Sequence, residues 1–217
     1  PHQRTMIPLT EEQEKRVRVM DSRFRFVYDD TKDLRRFLLD EKLDMLRGTD
    51  EWNTIENVLK WSRAQFEPGT PKVYPTQNAS RLLPILRSKK EEGFSAQYCY
   101  VTVQALQALG FKARYITITG HEVAEVWVPK MKKWVALDPM NAAYFEDSKG
   151  RKLSALEVYR ARENVKVVSD IPNLDARKLA EAYRLLAYWL RNDLYTTPIN
   201  VYDLTLYRVC LLYTSPS

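Results

Sequence analysis

Only two histidines occur in the 217 residues, His2 and His121. Histidine is the side chain whose ordinary titration spans neutral pH. His2 lies at the terminus, so His121 is the candidate for proton transfer. Ser95 follows Gly93 by two positions and opens a strongly helical stretch. A nucleophile at a helix start meets backbone N–H groups without intrahelical acceptors, together with the positive end of the dipole. Such donors stabilise a thiolate, and they can also hold the oxyanion of an acyl-transfer intermediate. Asp138 closes an apolar run and supplies a carboxylate able to orient an imidazole. Ser95, His121 and Asp138 therefore read as nucleophile, base and orienting group.

Positioning these groups takes one helix and a small sheet. Ser95 to Leu109 has the pattern of a helix, and Gly110 is the expected residue beyond its end. The period then changes. Phe111–Thr119, Glu122–Val128 and Lys133–Leu137 alternate or run apolar with β-branched residues, and Gly120 and residues 129–132 supply turns. This predicts a helix followed by an antiparallel meander. Paired strands lie about 4.8 Å apart, close enough for His121 and Asp138 to share a hydrogen bond.

Four motifs in order carry a resemblance. Gly93-Phe-Ser-Ala-Gln-Tyr-Cys99 leads into Leu109-Gly-Phe-Lys-Ala-Arg114; then come His121-Glu-Val-Ala-Glu-Val126 and Trp134-Val-Ala-Leu-Asp-Pro139. Over about residues 80–160 the chain resembles the transglutaminase-like superfamily of the papain-like fold. The resemblance implies a Cys-His-Asp site for peptidase, amidase or transamidation chemistry on a peptide, protein or small amide or ester, with no cofactor. The family's cysteine position holds Ser95, and Val123 stands where an aromatic is common. Cys99 lies one turn further into the helix, away from its positive end. Three readings of Ser95 stay open: a Cys-to-Ser replacement that holds the protein inactive, a natural inactive form kept as a peptide- or protein-binding module, and a working serine hydrolase. A hydroxyl is far less acidic than a thiol, so it needs His121 as a true general base.

Other residues carry weaker expectations. Gln97 and Trp134 are candidate substrate-binding residues, with helix surface and core as their respective alternatives. Arg114 reads as one half of a structural salt bridge, and Glu125 as a surface strand position. Asn78-Ala-Ser80 fits a glycosylation sequon. Asp138, Glu146 and Asp147 match no standard cation loop, and no metal is expected.

The fold expected is α+β with a papain-like core: residues 1–75 an N-terminal helical segment, 76–170 the core, and 171–209 a C-terminal helical segment. Helices are expected over Thr10–Arg25, Asp33–Leu46, a stretch capped by Asp50 that runs to about Phe66, a short Leu82–Arg87, Leu153–Arg162 and Asp175–Arg191. Val165–Val168 is a candidate strand. Residues 210–217 read as a non-native or disordered tail, and the start at Pro1 suggests a missing upstream segment.

Lysine and arginine number 34 against 28 acidic residues, a net charge of +6. The basic residues are mixed with acidic ones and form no stripe with interleaved aromatics, so no nucleic-acid partner is expected. No apolar run reaches membrane-spanning length and no signal peptide is visible, so no membrane partner is expected either; the compartment stays open. Cys99 and Cys210 are the only cysteines. They form no CxxC pair, and a disulfide between them is disfavoured by the apolar helical setting of Cys99.

Overall fold

A computed structural model describes residues 32–72, 76–89, 91–161, 164–184 and 186–188. The expected helix over residues 10–25, Cys210 and the tail lie outside them.

The meander forms as its period requires. Strands β1 (Ala113–Ile118), β2 (His121–Val128) and β3 (Lys133–Asp138) pair antiparallel in sequence order. Gly120, at φ +65°, makes the turn that sets Ile118 opposite His121. Two further strands, β4 (Ala143–Glu146) and β5 (Lys166–Val168), extend the sheet beyond β3. A two-residue strand, β6 (Ala187–Tyr188), closes the other edge against β1. The six-stranded sheet has the order β5-β4-β3-β2-β1-β6.

Both faces of the sheet are covered. Tyr115, Ala124, Val126, Val135 and Leu137 face a core built around helix α4 (Ser95–Ala108). Helices α1 (Lys32–Asp40), α2 (Glu51–Arg63) and α3 (Ala79–Lys89) pack on α4 in turn. The alternate residues Ile116, Val123, Ala136 and Phe145 face a smaller core with α5 (Ala155–Ala161) and α6 (Ala176–Ala182). Every residue of α4 from Ser95 to Leu106 is buried. That is the signature of a central helix wrapped on all sides.

Local signals explain the helix ends. Asp50 caps α2, its side chain accepting from Asn53 N–H at 2.8 Å. Asn78 caps α3 through Arg81 N–H, and the helix runs through the exposed Pro84 rather than starting there. Gln104 fixes the start of α3 from α4: its Oε1 accepts from Ala79 N–H and its Nε2 donates to Gln77 O. The Asp33–Leu46 expectation resolves into α1 and a separate 3-10 turn over Leu43–Leu46.

Two expectations need correction. The helix expected over Asp175–Arg191 ends at Ala182, and the chain turns to form β6 within the segment expected to be helical throughout. The backbone edge of β1 offers unpaired ladder groups, and pairing with it outweighs weak helical periodicity. Glu125 is not on the surface: it is fully enclosed beneath α5, because the sheet has no solvent-facing side.

Candidate functional site

The site begins with the approach to α4. Gly93 N–H donates to Glu67 O, and Gly93 O accepts from Gly69 N–H, both at 2.9 Å. A Cβ at Gly93 would lie 2.5 Å from the Phe66 ring, so only glycine permits this approach. Phe66 stacks on Tyr98 of α4, whose hydroxyl donates to Phe66 O. Burial pushes the Tyr98 phenol up to about 12, so it stays a neutral donor. One residue earlier, Gln97 Oε1 accepts from Phe94 N–H at 3.0 Å. These contacts fix the first turn of α4, where the N–H groups of Ser95 and Ala96 have no intrahelical acceptors.

Ser95 is 5% exposed. Its Oγ accepts from the backbone N–H of Glu122 at 3.1 Å, which ties the helix start to the start of β2. His121 stands next to that donor. Its Nε2 lies 3.0 Å from Asp138 Oδ1 at the end of β3, so the sheet brings imidazole and carboxylate into the hydrogen bond that the strand order leads one to expect. Ser95 and His121 are placed at adjoining backbone positions, but their side chains are not hydrogen-bonded to each other among the described residues.

Asp138 is almost wholly enclosed and has a second partner. Asn141 Nδ2 donates to Asp138 Oδ2 at 2.8 Å and Asn141 N–H donates to Oδ1 at 3.3 Å. Asn141 is in turn held by Ser169, whose hydroxyl donates to Asn141 O. Burial disfavours the charged imidazole, yet the hydrogen bond and charge of Asp138, aided by Glu122, raise the pKa of His121 above its ordinary 6.5. With Asp138 accepting the Nε2 proton, Nδ1 is left as the basic nitrogen. His121 also lines an open cleft of about 660 Å³ with Met140, Asn141, Leu174, Lys178 and Leu179.

The remaining expected residues take supporting places. Gln97 is fully buried, and its Nε2 has no hydrogen-bond partner among the described residues. Its visible role is to cap the start of α4. Trp134 is enclosed, with the Arg114 guanidinium 4.0 Å above its ring and Trp127 edge-on at 5.8 Å. Arg114 makes the expected salt bridge, and its partner is the buried Glu125, whose other oxygen accepts from Ala155 N–H at 2.6 Å. Cys99 is free and buried; burial, then Glu122 and Asp138, push its thiol well up, so a thiolate there is disfavoured. Among the described residues, no cluster of three or more His, Cys, Asp or Glu side chains could hold a metal ion, and no helix is long and apolar enough to cross a membrane.

Two functional candidates escaped the sequence reading. Asn141 lies three residues after Asp138 in an Asp-Pro-x-Asn turn, a spacing at which an Asp side chain captures the backbone. Glu122 gave no signal, because a charged residue beside a strand start is ordinary. Neither family models nor curated proteins yield a match to this chain.

Proposed function

We propose that the site is an acyl-transfer centre of the transglutaminase-like, papain-like type, with position 95 for the nucleophile, His121 as proton carrier and Asp138 as its orienting carboxylate. One observation carries the reading. An imidazole held 3.0 Å from a buried carboxylate adjoins a helix start whose first side chain is anchored to the next backbone N–H. With a thiol at 95, the S–H proton passes to His121 and sulfur attacks the carbonyl carbon of an amide or ester. The N–H groups of the first turn of α4 face the developing oxyanion. The tetrahedral intermediate collapses, and the leaving amine or alcohol takes the proton from His121. Water, or a second amine, then cleaves the thioester with His121 again moving the proton. Asn141 keeps the Asp138 carboxylate aimed at Nε2. With Ser95 in place the first step is slow, because the hydroxyl carries no charge to stabilise near neutral pH.

A second reading is a peptide- or protein-binding module that keeps the cleft without turnover. The observation favouring it is that Ser95 Oγ accepts from a backbone N–H and makes no hydrogen bond to the imidazole. Ser95→Cys separates the two. The enzyme reading expects rapid iodoacetamide labelling that is lost in the double variant with His121→Ala, and release of p-nitrophenol from activated esters. A slow thiol, indifferent to His121 and without turnover, would leave the binding module as the account of this cleft.

A further inference from the structure

We propose that Glu122 is a positioning residue of this site that works in its protonated form, seated beneath the nucleophile's helix while its backbone N–H holds the side chain at 95. The proposal rests on the acyl-transfer reading for what the site does, and on the following geometry for Glu122 itself.

Glu122 is opposite Thr117 in the β1–β2 register, so its side chain leaves the sheet on the face covered by α4. Its Oε2 is shielded from solvent and meets no hydrogen-bond partner among the described residues. A carboxylate with one buried, unpartnered oxygen is expensive, whereas a carboxylic acid carries no charge to desolvate. Against burial, the hydroxyls of Thr117 and Tyr115 and then the charge of His121 favour the ionised form. Around it stand Cys99 on α4, Tyr115 and Thr117 on β1, His121 on its own strand and Asp138 at the end of β3. Lys178, Glu181 and Arg184 lie across the cleft that His121 lines. Burial leads the balance and pushes the Glu122 carboxyl up to about 7. Its ionisation therefore falls in the range where the site would work.

The consequence is electrostatic. His121 lies between two carboxyls, and with Glu122 neutral only Asp138 raises its affinity for a proton. Ionisation of Glu122 adds a second negative charge, which holds the proton on the imidazole more tightly and opposes an anion at position 95. The neutral form leaves His121 a better proton donor to the leaving group and the helix start a better anion site.

The full chain with His2→Gln gives a single histidine to follow by NMR. Replacing Glu122 with Gln keeps the neutral shape and removes the titration. We expect the His121 midpoint to move to lower pH in that variant, because the negative charge of Glu122 that favours the imidazolium is removed. We expect the parent to lose thermal stability relative to Glu122→Gln as pH rises from about 4.5, the ordinary glutamate value, through about 7. In the Ser95→Cys background, Glu122→Gln should move the midpoint of thiol alkylation to lower pH. A His121 midpoint and a stability profile both unmoved by Glu122→Gln would overturn the proposal. Failure of the acyl-transfer reading looks different: Ser95→Cys stays unreactive while the His121 shift persists.

Discussion

Strand β2 holds two carboxylates three positions apart in opposite circumstances. Glu125, in mid-strand, is fully enclosed and fully satisfied. Arg114 Nε and Nη2 both donate to its Oε2, at 2.8 and 2.6 Å, and Ala155 N–H donates to Oε1. The guanidinium lies in turn over Trp134. Glu122, at the strand's start, is less buried yet worse served, with an oxygen that meets no partner among the described residues. Glu125 ties β1, β2 and the start of α5 together. Glu122 follows His121 in the chain and meets Ser95 Oγ through its backbone N–H. Burial alone therefore does not decide the state of an acid; the partners that meet it do.

The comparison can be broken most forcefully at its scaffold end. Arg114→Met should cost about 3–5 kcal/mol in chemical denaturation, because it strands a buried carboxylate. Adding Glu125→Gln, which keeps an acceptor for Ala155 N–H, should recover much of that loss. Equal instability in the single and double variants would show that the arginine acts by packing alone.

The site end is expected to respond less in stability and more in proton affinity. Asn141→Ala removes the Nδ2 hydrogen bond to a buried carboxylate, worth about 1.5–3 kcal/mol, and leaves the backbone one in place. It should also let the Asp138 side chain turn from the ring and bring the His121 midpoint back toward 6.5. His121 has a raised folded pKa. Its pairing with Asp138 therefore adds stability that is complete below 6.5 and lost as pH rises through the folded value. Asp138→Asn should accordingly destabilise the chain more at pH 5.5 than at pH 9 by thermal melting, and the reverse order would contradict the pairing. The smallest effect belongs to an exposed pair. Lys60 and Asp170 approach to 2.6 Å in solvent, so Asp170→Asn should change stability by less than about 0.5 kcal/mol and only at low salt.

Much of this layout could be read in advance from the chain. The three central strands and α4 announced themselves because their periods differ sharply, 2 against 3.6. His121 and Asp138 were legible as a pair because a meander puts their strand ends side by side. Asp50 was legible as a cap because an acidic side chain there precedes an apolar stripe. What stayed hidden depended on the second covered face. Alternation along β2 suggests a polar surface for Glu125, and nothing local says that α5 covers it. Strand β4 was missed because four residues after a Pro-Met-Asn turn show too little period. The early end of α6 follows from the free edge of β1, a partner some seventy residues back in the chain. Gln97 reads as helix surface until α4 is known to be wrapped on all sides.

Gly93 links these observations to time. Its two hydrogen bonds join the loop after α2 to the residues just before α4 across a separation of 24 to 26 residues. The β1–β2 hairpin needs only a two-residue turn. Long closures are slower than local ones, so the β1–β2 hairpin is expected to form early and the first turn of α4 to lock late. What locks last opens first, so the amide of Gly93 should exchange with solvent faster than the amides of the β1–β2 ladder, and hydrogen exchange followed residue by residue checks the order.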